Sequence, residues 1–317
     1  MKLGTIYEQV IKFGMQADPR GKALLGRKLS AVKKKYRGLK GDAKAEFDLE
    51  RLRNPYADTR LLYGDEDKEI KTILVGIDID AGELLFADKL RESGREIDLV
   101  ISHHPGGYAL AGLYEVMHMQ TDLLTDLGVA PKVAEASMKR RIDEVERRLL
   151  STNHNRVVDM ARLLDIPYMC VHTASDNHVT TYLQNVVDKK KPKLLGDIIK
   201  ILKQIPEYRD AVKGKAGPKI LIGEPKTKAG KTVIEMTGGT EGTKELFGRL
   251  SQAGVQTLVG MHLSEEHFKI VKSEHLNVVI AGHISSDALG LNLLFDKLEA
   301  KEKFVFINCS GFRRVRR

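Results

Sequence analysis

A strand, helix and strand between residues 71 and 102 are the feature that most constrains the fold of this chain. Ile73 to Ile77 is a continuous apolar run typical of a buried strand, and Asp98 to Ser102 predicts a second one. Gly82 to Ser93 lies between them and places apolar residues at helical spacing. A unit of about 30 residues with this order is a βαβ unit, which requires parallel strands and a right-handed crossover. The sequence therefore predicts an α/β protein.

Two adjacent histidines follow the second of these strands. His103 and His104 precede Pro105 and two glycines, so the strand must end there. Ligands of parallel α/β sheets bind beyond the carboxyl ends of the strands. Neighbouring residues of an extended segment point to opposite sides. The pair therefore suits two separate ions, or one ion and one supporting contact, and the alternative is a strand-end turn with exposed imidazoles.

Two more predicted strands end in a histidine that is followed four residues later by a carboxylate. His172 and Asp176 follow the first of them, and His283 and Asp287 follow the second. Residues at this spacing share one face of a helical turn. Mixed imidazole and carboxylate ligands suit hard or borderline divalent ions, and carboxylates can bridge two such ions. The alternative is a solvent-exposed sheet edge whose residues are polar for that reason alone.

The rest of the chain divides into a helical extension, a helical insertion and a second lobe. Residues 1 to about 70 predict an N-terminal helical extension, with Tyr7, Val10 and Ile11 at helical spacing. The α/β domain would occupy residues 71–317. Within it, about 110–155 predicts a charged helical insertion, which would form a solvent-exposed antiparallel helical pair or an oligomer contact. A second series of strands and helices defines a lobe over about 191–275.

Composition favours a soluble cytoplasmic protein. Of the 317 residues, 42% are hydrophobic, and no apolar run is long enough to span a bilayer. The N-terminus lacks the order of a signal peptide. The only cysteines, Cys170 and Cys309, form no Cys-x-x-Cys pair, which argues for a reducing compartment and against a cysteine zinc site. The formal charge of +9 is compatible with anionic ligands such as nucleotides, and equally with a basic surface.

Other candidate sites carry weaker signals. The glycine-rich run Gly238 to Gly242 opens a predicted helix and could cradle an anion, although Glu241 would oppose one. His262 and His267 follow another strand and could line the same cleft as the other histidines. The C-terminal segment, Arg313 to Arg317, is interpreted as a solvated tail, with nucleic-acid binding as a weaker alternative. The remaining histidines have no matched partners and are predicted on the surface: His118, His154, His178 and His275.

Four motifs, in order, resemble those of the NIF-three-like family, named after NGG-interacting factor three. They are Val75-Gly76-Ile77-Asp78, Ser102-His103-His104-Pro105, His172-Thr173-Ala174-Ser175-Asp176 and Gly282-His283-Ile284-Ser285-Ser286-Asp287. The resemblance covers about residues 71–300. Members are often labelled GTP cyclohydrolase I type 2 homologues. The family pattern ends in a glutamate, where this chain has Asp287.

The resemblance implies a NIF-three-like fold, in which mixed sheets are flanked by helices, and a site for two divalent metal ions. Carried over residue by residue, the metal ligands would be His103, His104, Asp176, His283 and Asp287. His172 would steady Asp176 or line the cleft. As a histidine of the cleft, His172 is also our candidate catalytic residue, which would move a proton. The ions could be Zn, Fe, Mn, Co or Mg. The family also implies a homo-oligomer, a ring-like hexamer.

The function that follows as an expectation is that of a dinuclear metal-dependent hydrolase. Its substrate would be small and anionic or nucleotide-like. Bound ions would polarise the scissile bond and activate water. The alternative is a non-catalytic metal-binding scaffold or regulator that binds protein or nucleic-acid partners.

Overall fold

The strands belong to two separate sheets. The computed structural model describes residues 1–317, and its nine strands are β1 (Thr59–Tyr63), β2 (Thr72–Gly76), β3 (Leu99–Ser102), β4 (Tyr168–Val171), β5 (Lys219–Ile222), β6 (Thr232–Glu235), β7 (Thr257–Gly260), β8 (Asn277–Ile280) and β9 (Val305–Asn308). The first sheet has the order β1-β4-β3-β2-β9, and the second has the order β5-β8-β7-β6.

Helices connect and cover both sheets. They are α1 (Leu3–Gln16), α2 (Lys22–Gly38), α3 (Asp42–Ala45), α4 (Ala81–Glu92), α5 (Gly107–Ala111), α6 (Leu113–Val116), α7 (His118–Asp126), α8 (Pro131–Leu149), α9 (Arg156–Leu163), α10 (Thr173–Lys190), α11 (Leu195–Lys203), α12 (Pro206–Lys213), α13 (Glu245–Gln252), α14 (Glu265–Ser273) and α15 (His283–Glu299). A short 3-10 helix spans Leu49–Leu52. None of the helices combines the length and apolar character needed to cross a membrane.

The βαβ unit predicted at residues 71–102 is confirmed. Strands β2 and β3 pair in parallel, with Ile73 opposite Leu99, and α4 connects them. A capping box between Asp80 and Glu83 begins α4, because each side chain satisfies a backbone N–H at the helix start. Strands β4 and β9 extend the parallel part, while β1 joins β4 in antiparallel orientation. The second sheet is also mixed, since β5 pairs with β8 in antiparallel orientation.

The N-terminal segment is helical in α1, α2 and α3, but residues 59–63 differ from the prediction. They form β1, an edge strand that pairs with β4. The local pattern of apolar residues did not predict this strand, because its pairing partner, β4, lies far away in the sequence. Arg60 in this strand is almost fully buried and bonds to Asp48 and Glu50 at 2.6 Å each. These contacts connect the preceding 3-10 turn to the sheet.

Helix α1 packs within the largest hydrophobic core. Leu3, Ile6 and Val10 are completely buried and cluster with residues of β2, β3 and α15. The first 16 residues therefore contribute to the same core as the sheet. The predicted boundary at residue 70, between an N-terminal extension and the α/β domain, stays a prediction.

The helical insertion is present as α5 to α8. Helix α8 buries Met138 and Ile142 in a core that also contains Leu246 and Phe247 of α13. The insertion was predicted to be a solvent-exposed helical pair. Only the charged side of α8 is exposed, because its apolar side packs against α13 and the second sheet.

Helices α10 and α15 join the two sheets. Helix α10 begins directly after β4 of the first sheet, and α15 begins after β8 of the second. The two helices pack directly against each other. Their closest approach requires Gly290, because a Cβ atom there would lie 2.6 Å from the carbonyl oxygen of Ser175. The carboxyl ends of strands from both sheets consequently meet at one place.

We expect the substitution Ile6→Ala to lower the free energy of unfolding by about 2–5 kcal/mol, because it leaves a cavity in the main core. Chemical denaturation followed by circular dichroism measures this change. Lys34→Ala, on the exposed side of α2, is the control and should change the free energy by no more than about 0.5 kcal/mol. A change as small for Ile6→Ala would mean that α1 is a dispensable extension.

Candidate metal centre

Four strand ends contribute side chains to one cleft. Strand β3 is followed by His103 and His104, β4 by His172, and β8 by His283, while Asp78 follows β2. The imidazole rings of His103 and His104 lie 5.2 Å apart between centroids, and those of His104 and His283 lie 5.3 Å apart. The predicted convergence of these strand ends is therefore observed, and it brings all the predicted metal ligands together.

The carboxylate of Asp287 lies at the middle of this cluster. Its Oδ1 atom is 3.5 Å from Nε2 of His103. Its Oδ2 atom is 3.7 Å from Nε2 of His104 and 3.5 Å from Nε2 of His283. The two oxygens of one carboxylate thus face different histidines.

Asp176 approaches the cluster from the first turn of α10. Its Oδ1 atom lies 3.4 Å from Nε2 of His103, and its Oδ2 atom lies 3.8 Å from Nε2 of His172. Three sets of side chains have ligand atoms within 4.8 Å of one another: His103 with Asp176 and Asp287, His104 with His283 and Asp287, and His103 with His104 and His172.

These carboxylates are buried without hydrogen-bond partners. Asp287 is completely buried, and neither of its oxygens has a partner, nor does Oδ1 of Asp176. A buried, unpaired charge is costly, and coordination of a cation is one of the few ways to offset that cost. The His and Asp groups of this cleft could therefore hold a metal ion.

Two of the histidines are oriented by hydrogen bonds at Nδ1. His103 donates to the carbonyl oxygen of Val171 at 3.0 Å, and His104 donates to Oδ1 of Asp78 at 2.6 Å. With Nδ1 donating, Nε2 of the neutral ring carries the lone pair that a metal requires. In both residues this nitrogen faces Asp287.

Burial disfavours the charged form of most groups in the cluster. It raises the pKa of Asp176 to about 7 and, together with Asp176, raises the pKa of Asp287 well above its ordinary value. It also lowers the pKa of His103 and brings that of His283 to about 4. The site thus favours neutral imidazoles, the form that binds metals.

His172 has a different environment from the other histidines. Its Nδ1 donates to Oδ2 of Asp58 at 2.8 Å, and the same carboxylate accepts a bond from Thr173. Burial alone would lower the pKa of His172, but the carboxylates of Asp176 and Asp58 raise it to about 9. Sequence reasoning missed Asp58, since it precedes β1, a strand that was predicted as helix. The one signal in the sequence that could have indicated Asp58 is its position directly before the short run that forms β1.

The second sheet contributes the facing side of the cleft. His262 lies there, 4.8 Å from His283 between ring centroids. Glu241 accepts bonds from Nδ1 of His262 at 3.1 Å and Nδ1 of His267 at 2.8 Å. The glycine-rich loop therefore holds a carboxylate that binds histidines, and α13 begins only at Glu245. The anion site considered for this loop therefore has no support from the structure.

Two other expectations for charged residues need correction. His178 is buried, not on the surface, because α10 lies between the two sheets and has no fully exposed side over its first turns. The C-terminal arginines are not a free tail. Arg314 is buried and pairs with Asp296 and Glu299, and Arg317 pairs with Glu207. Acidic residues of α12 and α15 hold this segment in place, a contact that only the folded chain reveals.

We expect Asp78→Asn to weaken metal binding about 10- to 100-fold, because His104 loses the carboxylate that orients its ring. Equilibrium dialysis with Zn²⁺ or Mn²⁺ measures the affinity. Asp80→Asn is a matched control, since it lies two residues away, is exposed and pairs with Arg156, and Asn is also a good helix N-cap. Equal affinities for the two variants would show that Asp78 does not support the site.

Comparisons with known proteins identify similar structures. No family model matches the sequence, and no curated protein matches it. The crystal structure of a NIF3 superfamily protein from Sphaerobacter thermophilus matches with a TM-score of 0.71 and 27% identity, covering 82% of this chain and 93% of that one. Reduced HcgD from Methanocaldococcus jannaschii matches with a TM-score of 0.50 and 15% identity, covering 78% and 87%, which shows the fold alone. The predicted resemblance is thereby confirmed, since the fold of this chain is similar to that of a NIF3 superfamily protein over most of both chains.

Proposed function

We propose that this protein is a dinuclear, divalent-metal-dependent hydrolase that acts on a small anionic, nucleotide-like substrate. The observation that carries the proposal is the position of Asp287. Its Oδ1 atom faces His103, while its Oδ2 atom faces His104 and His283. A carboxylate whose two oxygens face separate sets of nitrogen ligands is suited to bridge two ions.

Each ion would have its own ligand set, with Asp287 in common. His103, Asp176 and Asp287 would hold one ion, and His104, His283 and Asp287 would hold the other. Paired ions of this kind lie about 3.5–4 Å apart in hydrolytic enzymes and carry bridging ligands. His103 and His104 are adjacent in the chain and both direct Nε2 towards Asp287, but towards different oxygens of its carboxylate, which agrees with their serving separate ions.

The ligand chemistry narrows the choice of metal. Imidazole and carboxylate ligands without a thiolate suit Zn, Fe, Mn, Co or Mg, and disfavour soft ions. The nearest cysteine along the chain, Cys170, precedes the site in β4 and is bonded to the carbonyl oxygen of Asp58. It lies outside the proposed ligand sets.

Bound ions would supply Lewis-acid polarisation of a scissile phosphoryl or carbonyl bond. His172 lies in the same cleft, and its Nδ1–H is fixed by Asp58. With the pKa of His172 raised to about 9, its Nε2–H is the ring position free to donate a proton to the leaving group and to take one back from the attacking water. Asp58 acts by holding the ring in that orientation, as the carboxylate does in a catalytic triad.

Charge balance supports an anionic substrate. Two divalent ions bring four positive charges, and the two ligand carboxylates, Asp176 and Asp287, offset only two of them. An anion at the open side of the cleft would reduce the remainder. The facing residues there include Thr237, Thr240 and His262, which can form hydrogen bonds. Two carboxyl groups also face the cleft: Glu241 is bonded to His262 and His267, and burial raises the pKa of Glu235 to about 7.

The assembly and the location of the protein are also proposals. A hexameric homo-oligomer is supported by the family resemblance alone. A cytoplasmic location is supported by the two unpaired cysteines. Nucleic-acid binding through the C-terminal segment has less support, because Arg314, Arg316 and Arg317 pair with carboxylates of the chain itself.

We expect Asp287→Asn to lose at least one ion with the fold retained, because an amide is a poorer ligand for a hard cation than a carboxylate. Asp287→Glu restores the residue of the family pattern and should keep both ions. Elemental analysis of protein purified without chelator or affinity metal gives the stoichiometry. Metal content in the Asn variant equal to that of the parent would remove Asp287 from the ligand set.

We expect hydrolysis of nucleotides or aryl phosphates by protein loaded with Mn, Zn, Fe, Co or Mg. His172→Gln should lower kcat about 10²- to 10⁴-fold, the range for loss of a proton-transfer group, while metal content is unchanged. His118→Gln, at an exposed position, should leave both unchanged. Failure of the metal-replete parent to hydrolyse any of these substrates would favour the non-catalytic scaffold.

A further inference from the structure

A large groove adjoins the metal cleft. It lies between α7, α10 and α13, with β6 along its length, and has a volume of about 590 Å³. Glu235, Met236 and Thr237 line both the groove and the metal cleft. A molecule bound at the metal centre could therefore extend into the groove past these three residues. The volume falls within the range of small-molecule sites.

The groove is lined by apolar side chains from α7 and α13 and by polar side chains from α10. Leucines of α7 and α13, including Leu123, Leu124 and Leu250, supply apolar surface. Helix α10 supplies hydroxyl and amide groups, among them Thr180 and Asn185. A ligand that matches both kinds of surface is amphipathic and has hydrogen-bonding groups on one side.

Two buried polar atoms of the lining have no partner in the protein. They are Oγ1 of Thr180 and Oε1 of Gln120, in residues only 5% and 6% exposed. The amide nitrogen of Gln120 donates to the carbonyl oxygens of Gly238 and Thr240, in the loop that lines the metal cleft. Oε1 of Gln120 lies beside Gly242, which does not line the groove. Buried polar atoms are nearly always hydrogen-bonded, so the unpaired Oγ1 of Thr180 points to a ligand or ordered water in the groove.

The charges of the groove disfavour a second anionic group. Asp126 and Asp188 line it, against one cation, Lys231, and burial raises the pKa of a third lining carboxyl group, that of Glu235, to about 7. A fourth carboxylate, Asp18, is neutralised by Arg20 at 2.8 Å. The negative part of a substrate would thus remain at the metal centre, and the part in the groove would be uncharged.

We infer that this groove binds the uncharged, ring-sized, amphipathic group of the substrate whose anionic end lies at the metal centre. The inference rests on the proposed function and adds the place where the uncharged group of that substrate binds. The substrate is an organic phosphate or similar ester that carries an aromatic or heterocyclic group. Binding energy from this group would position the reacting end, as remote contacts do in other enzymes.

The test uses two phosphonates that cannot be hydrolysed and that differ only in the ring system, methylphosphonate and naphthylmethylphosphonate. Their Kd values are measured by isothermal titration calorimetry on the full-length, metal-replete protein. We expect naphthylmethylphosphonate to bind the parent about tenfold or more tightly than methylphosphonate, since an apolar group in a matched pocket gains at least that factor.

Asn185→Trp and Leu123→Trp fill the groove from α10 and α7. In both we expect the two Kd values to become similar, with metal content and methylphosphonate affinity unchanged. Gln16→Trp is the matched control. It also replaces an exposed helical amide, but it lies in a separate groove of about 700 Å³ between α1 and α2. The preference for the naphthyl probe should survive in this variant.

The possible failures are distinguishable. If the parent binds methylphosphonate but shows no preference for the naphthyl probe, or if both filling variants keep the preference, the groove inference is overturned and the proposed function stands. If the metal-replete parent binds neither phosphonate, the anion site itself is absent, and the proposed function falls together with the groove inference.

Discussion

The contact between α10 and α15 is the interaction on which the site depends. Each helix begins at the end of a strand from a different sheet, and each carries one of the central carboxylates in its first turns, Asp176 or Asp287. They come close because Gly290 has no side chain where it meets Ser175. Two of the three sets of candidate ligands contain Asp287 and combine residues from both sheets, so these sets exist only when the helices are packed together.

Burial at this junction explains the electrostatics of the cluster. Asp176 and Asp287 are removed from water, and three of their oxygens have no hydrogen-bond partner. That arrangement is unfavourable for a protein that never binds a cation, because burial raises the free energy of the charged carboxylates. The orientation of His103 and His104 by Val171 and Asp78 presents lone pairs to the same place. A bound cation would therefore stabilise the folded state of this region.

The chain outside the α/β core supports the same centre. Residues just before β1 supply Asp58, which orients His172, and Arg60 of β1 connects the N-terminal turns to the sheet. The insertion helices and α13 form the groove beside the metal cleft. The N-terminal segment and the helical insertion, which the sequence analysis placed outside the core, thus shape the surroundings of the site. They can do so because the site lies beyond the strand ends, where other parts of the chain form its walls.

The sequence by itself determined the βαβ unit, the histidines at the strand ends and the spacing of His172 with Asp176 and His283 with Asp287, because these are local patterns. It also carried the family resemblance that the structure confirms. Only the tertiary structure decided that β1 is a strand, that Asp58 belongs to the site and that His178 is buried. It also decided that three C-terminal arginines, Arg314, Arg316 and Arg317, are paired with carboxylates. Each of these depends on a partner distant in the chain, and periodicity within a short window contains no information about such partners.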